Sequence, residues 1–320
     1  MARAPQSLEG VAARLARARF VRDAVGAATQ RFDALRGAAT DLTESIFTSQ
    51  HAATAGTARM LAGMNKRLAC IAIAALALAA VPARSAELLI FGEVHDQPDQ
   101  QRQVADEVRR LAAGGKLSAV VLEMAEVPRS TTGLARDASE AQAQQALQWR
   151  NWPWERYAEV VMNAVRAGVP VIGGNLPREQ MRAAMSDASL DALLSPQVRD
   201  LLAQEVREGH CGLLPEAQVA GMVRVQIARD RSMATTAIQA LRDAGPQQNV
   251  LLLAGAQHAS RDRGVPLHMV AAGSPAPVHV VMFGDLSARL VADERRGAKP
   301  TPQPDHCKGL QRTLGASAAG

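Results

Sequence analysis

Five short apolar runs, spaced by longer stretches of helical character, set the strongest limit on what this chain can fold into. They are Glu87–Phe91, Ala119–Leu122, Pro170–Ile172, Val250–Leu253 and Val278–Phe283. Most are β-branched or Leu-rich, and apolar at consecutive positions. A strand with one wet face alternates apolar and polar residues. A continuous apolar run instead fits a strand covered on both faces, as in a parallel sheet. Helical patterns fill the gaps, over Gln100–Ala113, Glu140–Gln148, Trp154–Ala167, Arg178–Met185, Gln197–Arg207 and Glu216–Ala244. The alternation predicts an α/β fold with a mostly parallel central sheet flanked by helices. The long stretch between the third and fourth runs is all helical, which predicts a helical insertion or cap over the sheet edge. After about Gly297 the Pro-rich chain reads as a flexible C-terminal tail.

The N-terminal part has a different character. Met64-Asn65-Lys66-Arg67 is basic, Leu68 to Ala80 is uncharged and apolar, and Val81-Pro82-Ala83 presents small residues. These are the three parts of a secretory signal peptide, in order, and the apolar run is short for a membrane span of ~20 residues. The expected organisation is an upstream extension 1–63, read as a misassigned start that is disordered or loosely helical, then a signal peptide 64–83, then one domain 84–320. The expected location is the periplasm. A mature N-terminus near Arg84–Glu87 would support export, and an intact Ala2 would refute it. Leu68-Ala69-Cys70 looks like the end of a lipobox but precedes the apolar run, so outer-membrane attachment lacks a well-placed lipid anchor. Cleavage would leave Cys211 and Cys307, an even pair in an oxidising compartment, which suggests a disulfide, the alternative being two unpaired thiols.

Charge separates the same two parts. The chain carries a formal net charge of +5 and a sequence pI near 9.6. Ten Lys/Arg against five Asp/Glu lie before Arg84, which accounts for all of it. The remaining residues balance, so no basic face for nucleic acid is expected.

Ligands of open parallel sheets bind beyond the carboxyl ends of the strands. There the chain places Glu93, His95 and Asp96 after the first run, Glu123 at the end of the second, Asn175 after the third and His258 after the fourth. Two carboxylates with two imidazoles, Glu93, His95, Glu123 and His258, can hold a divalent ion such as zinc or manganese. The same set can work without metal, with His95 as general base. Taken singly, each has a plainer reading, Glu123 as a helix cap and His258 as a surface loop residue.

Two further features border this set. Gln226, Asp230 and Met233 share one face of the last long helix, with Arg229 adjacent; that face is either turned to the pocket or solvated. Trp149, Trp152, Trp154 and Tyr157 are all of the chain's Trp and Tyr. Such a cluster can stack on a flat ligand, and a tyrosinate is one of the axial ligands of haem iron. It can equally be a helix start packed on the core, with Pro153 at the first turn.

Gly92-Glu93-Val94-His95-Asp96, Leu122-Glu123-Met124, the Trp-rich run into Tyr157, Gly173 to Arg178, His210-Cys211-Gly212, the Gln226–Asp230 helix and Gly255-Ala256-Gln257-His258 together resemble the ChaN family of haem-binding proteins. The resemblance runs from about Glu87 to Cys307. It extends to a wider group with Tiki-type metalloproteases, TraB-like proteins and erythromycin esterases. That group shares a Gly-Glu-x-His motif, a second Glu and a later His, here Gly92, Glu93, His95, Glu123 and His258. The resemblance implies an exported haem-binding protein of iron uptake, paired haems in a homodimer, and partners in the haem-uptake machinery. Tyrosine ligation would fall to Tyr157, with His95 or His258 as substitutes and Trp154, Asn175, Gln226 and Asp230 around the group. The competing class is a metal-dependent hydrolase or peptidase using the Glu93/His95/Glu123/His258 set.

Overall fold

The structure is a computed structural model that describes residues 86–284 and 289–311. The expectations for 1–63 and 64–83 lie outside the described residues.

The elements run β1 (Leu88–Glu93), α1 (Pro98–Ala113), β2 (Leu117–Glu126), α2 (Glu140–Leu147), α3 (Trp154–Ala167), β3 (Val171–Asn175), α4 (Arg178–Ser186), a 3₁₀ helix (Ala188–Leu193), α5 (Pro196–Gly209), α6 (Glu216–Arg242), β4 (Asn249–Gly255), α7 (Ala256–Ala259), α8 (Val265–Ala271), β5 (Val278–Phe283) and β6 (Glu294–Arg296). The strands form one sheet in the order β3-β2-β4-β1-β5-β6. Every neighbouring pair is parallel. The predicted α/β architecture is therefore present.

Side chains alternate faces along a strand, and here both faces are dry. Leu251 and Leu253 join the core under α1 and α3, with Val104, Val108, Val160 and Val161. Val250 and Leu252, one residue away each time, join the core under α6 and α8, with Met233, Ala237 and Met269. Continuous apolar runs are what this two-sided burial demands. The helical insertion between β3 and β4 also forms. Its outer part has a small core of its own, built on Leu190, Leu202, Val206, Val219, Val223 and Ile227.

Two details depart from the sequence expectation. Strand β2 continues to Glu126, four residues past the predicted end, so Glu123 stands within a strand and is not a helix cap. Its ladder with β4 stops at Leu122 opposite Leu253, which leaves Glu123 at the edge where the sheet opens. The second departure is β6, whose three residues Glu-Arg-Arg have no apolar pattern. A short charged strand is a common way to blunt a sheet edge, and it is invisible to a search for apolar runs.

The tail after Gly297 is irregular as far as Asp305, then forms a helical turn over 306–311. It lies against the start of α1. Gln97 and Thr301 exchange two hydrogen bonds of 3.0 and 2.8 Å. Lys299 N donates to Asp99 at 2.8 Å, and Gln303 Nε2 to the Asp96 carbonyl at 2.6 Å. The Cys211–Cys307 disulfide closes the tail onto the end of the cap, across 96 residues of sequence.

Candidate functional site

Parallel pairing places the ends of β1, β2, β3 and β4 at one edge, and the polar residues that follow them meet there. Glu93, His95, Glu123 and His258 line one cleft of about 740 Å³, together with Trp152, Gln226, Arg229 and Gly255.

Glu93 ends β1 and is 1% exposed. A buried carboxylate is tolerated only with partners, and this one has three. Its Oε1 accepts from the Tyr157 hydroxyl at 2.7 Å and from His95 Nδ1 at 2.9 Å. Its Oε2 accepts from Gln101 in the first turn of α1. His95 thus has Nδ1 committed and Nε2 directed to the cleft. Trp152 packs on its ring at 4.5 Å between centroids. Arg156 donates to its carbonyl at 2.9 Å. Burial alone would lower the His95 pKa, but the Glu93 hydrogen bond and the Glu123 and Glu93 charges outweigh it and raise the value above the usual 6.5.

Glu123 is the hub. Its Oε1 accepts from Arg229 Nη2 at 2.5 Å and its Oε2 from Gly255 N at 2.6 Å. His95 Nε2 and His258 Nε2 lie 3.8 and 3.7 Å from the same Oε1. Burial would raise the Glu123 pKa; the charges of His258, Arg229 and His95 and the Gly255 amide together hold it down at about 2. Glycine at 255 is a steric requirement. A Cβ there would stand 2.9 Å from His95 Nε2 and 3.4 Å from Glu123 Oε2.

The second imidazole repeats the plan of the first. His258 in α7 bonds through Nδ1 to Asp230 of α6 at 2.6 Å. Asn175, at the end of β3, fixes the arginine: its Oδ1 accepts from Arg229 Nε at 3.0 Å, and its Nδ2 donates to the Glu123 carbonyl at 2.9 Å. Gln226 accepts from Arg229 Nη1 at 3.1 Å. The α6 face that sequence left open as pocket-facing or solvated is therefore turned inward, with Asp230 and Met233 buried.

Two expected roles do not fit. Tyr157 is 0% exposed, donates to Glu93 and does not line the cleft. Burial and the adjacent Glu93 charge raise its pKa, which opposes the phenolate an iron ligand requires. Trp154 is also outside the cleft; its indole donates to Glu140 at 2.7 Å and its ring packs on Trp149. The site aromatic is Trp152, drawn from the same cluster. The metal reading meets a further obstacle. Among the described residues no group of three or more His, Cys, Asp or Glu is arranged to hold an ion. The physical reason is the Arg229 guanidinium, which already neutralises Glu123, while both oxygens of Glu93 are engaged by its three donors.

Sequence reasoning passed over Gln101 and undervalued Arg229. Gln101 carried one available signal, its place in the first turn of the helix after the Glu93–Asp96 motif. Arg229 sits 106 residues from Glu123, and no local pattern joins them.

A family model described as haem-binding uptake, Tiki superfamily, ChaN matches residues 80–269. Among solved structures, the fold is similar to one described as cofacial heme binding to ChaN of Campylobacter jejuni. That likeness has 25% identity and a TM-score of 0.50, covering 62% of this chain and 82% of that one. A protein of Bacillus cereus aligns at 12% identity and a TM-score of 0.36, covering 63% of this chain and 66% of that one. No curated protein matches.

Proposed function

We propose, for a chain that belongs to the haem-binding uptake family ChaN of the Tiki superfamily, that it is an exported haem-binding protein of iron uptake whose iron ligand is His95. The observation that carries this reading is the state of the His95 ring, with Nδ1 held by buried Glu93 and Nε2 directed to the cleft. A carboxylate behind an imidazole sets the tautomer and strengthens the free nitrogen as a ligand. Trp152 beside the ring supplies a flat apolar surface, and about 740 Å³ lies within the range of pockets that enclose a ligand of this kind. The residues present therefore fit the group. Bound haem would supply a ferric iron that takes the imidazole, and Tyr157 and Gln101 would act through Glu93 to hold that imidazole in place.

Hemin titration of the mature protein, followed in the Soret band, tests the assignment. His95→Ala should weaken binding at least 100-fold, by analogy with the 10–100-fold typical of losing only a supporting partner. Tyr157→Phe should keep the wild-type band position and lose no more than that tenfold-to-hundredfold support. A band that shifts with Tyr157→Phe and not with His95→Ala would sink the histidine assignment. Ligation needs the neutral ring. Because the His95 pKa is raised, affinity should begin to fall at a pH above 6.5 and continue falling on acidification. Affinity independent of pH between 5 and 8 would contradict it.

The disulfide supports the exported location, since such bonds persist in oxidising compartments. Cofacial haems, as in the Campylobacter jejuni structure, would require two facing copies; sedimentation with and without hemin should then show a haem-dependent homodimer.

A second reading has its own observation. Two imidazole–carboxylate pairs, His95–Glu93 and His258–Asp230, aim Nε2 at one carboxylate oxygen. That is a general acid–base arrangement able to activate water. Hydrolysis of ester or peptide substrates that disappears in His258→Ala would support it, and turnover equal to the blank would remove it.

A further inference from the structure

A second pocket of about 410 Å³ adjoins the cleft and shares Glu123, Trp152 and Arg229 with it. Its lining is strongly basic. Arg129, Arg150, Arg178 and Arg229 face it against Glu123 and Glu126, which leaves a formal charge of +2. The rest of the domain has no such excess, since residues 84–320 balance overall. Two of these charges are also uncommitted. Arg229 is spent on Glu123, and Arg150 reaches Glu126 only at 3.9 Å. Among the described residues the side chains of Arg129 and Arg178 have neither an ion pair nor a hydrogen bond, and Arg129 is half-buried.

We infer that this arginine-lined pocket binds the carboxylate arms of the ligand whose flat body lies in the neighbouring cleft against Trp152 and His95. The inference rests on the haem reading above and deepens it. Guanidinium forks match carboxylates in a bidentate geometry that lysine cannot reproduce. A pocket with a +2 excess is neutralised by a ligand bearing two carboxylates, which is the charge of a porphyrin with two propionates. Glu123, Trp152 and Arg229 border both pockets, so a ligand with its ring in the cleft has its acid groups within reach of the arginines.

The test compares hemin, its dimethyl ester and iron-free protoporphyrin on wild type and on an Arg129→Gln/Arg178→Gln variant, with far-UV circular dichroism to confirm folding. Soret absorbance and tryptophan quenching are the readouts. Hemin and protoporphyrin should each bind the variant at least tenfold more weakly, with the hemin Soret position unchanged. The ester should bind wild type and variant alike. Arginine-dependent binding of protoporphyrin without any His95-dependent Soret shift would uphold the pocket and remove the iron-ligand assignment. Equal hemin affinity for variant and wild type, or ester bound as tightly as hemin by wild type, would overturn the pocket and leave His95 ligation standing. Binding of neither porphyrin would overturn both.

Discussion

Arg229→Met is expected to destabilise the domain by about 3 kcal/mol and to lower its melting temperature by roughly 6–12 °C. The guanidinium touches Glu123, Asn175 and Gln226 at once. Its removal leaves a carboxylate that is 2% exposed with one amide hydrogen bond and two imidazoles more than 3.5 Å away. Breaking a buried pair from one side typically costs about 3–5 kcal/mol; Arg229 retains some water contact, which favours the lower figure. The pair should be coupled. Replacing the second partner as well, in Glu123→Gln/Arg229→Met, removes the stranded charge, so the double variant should be less destabilised than Arg229→Met alone. Thermal melts of the three variants decide this, and simple additivity would show that the pair is not a unit.

Acid should act on the same carboxylate. Its pKa is about 2 in the folded protein against a usual 4.5. A group depressed on folding contributes stability above the unfolded value and loses it as pH falls through the folded value. Glu123 therefore supplies roughly 3 kcal/mol at neutral pH, lost between about pH 4.5 and 2. Acid melts of Glu123→Gln should lack this component.

Opening the Cys211–Cys307 bond is expected to cost up to about 4–5 kcal/mol. The bond closes 96 residues of chain, and the chain-entropy account gives about that value for a loop of this length. The measured loss should approach it only if unfolding is cooperative, because the tail also holds α1 through Gln97, Asp99 and the Asp96 carbonyl. The bond ties the cap to the tail, and the tail bonds the Asp96 carbonyl next to His95, so reduction should weaken hemin affinity together with stability. Wild type should melt lower in reductant, and Cys307→Ser should melt low in either condition. A wild-type transition indifferent to reductant would refute the bond's contribution.

Much of the sheet was legible because parallel strands buried on both faces must be apolar at consecutive positions. The runs that became β1, β3, β4 and β5 read as strands because they are short, apolar at consecutive positions and rich in β-branched residues or Leu. β2 was read short because Glu123 interrupts its apolar run, although the backbone stays extended to Glu126. β6 was missed because an edge strand needs no apolar pattern.

The sequence by itself determined five of the six strands, and therefore that Glu93, His95, Glu123, Asn175 and His258 would be delivered to one edge. Strand ends are set by local composition, and parallel pairing aligns them. Only the tertiary structure decided what each of these residues does. Tyr157 became a donor to Glu93 across 64 residues, and not a residue of the cleft wall. Trp152, and not the expected Trp154, packs on His95 and lines the cleft. Arg229 turned Glu123 from an open carboxylate into half of an ion pair. A side chain's role follows from its burial and from the partner that burial forces on it. Those partners come from helices and strands far apart in the chain, where no spacing rule connects them.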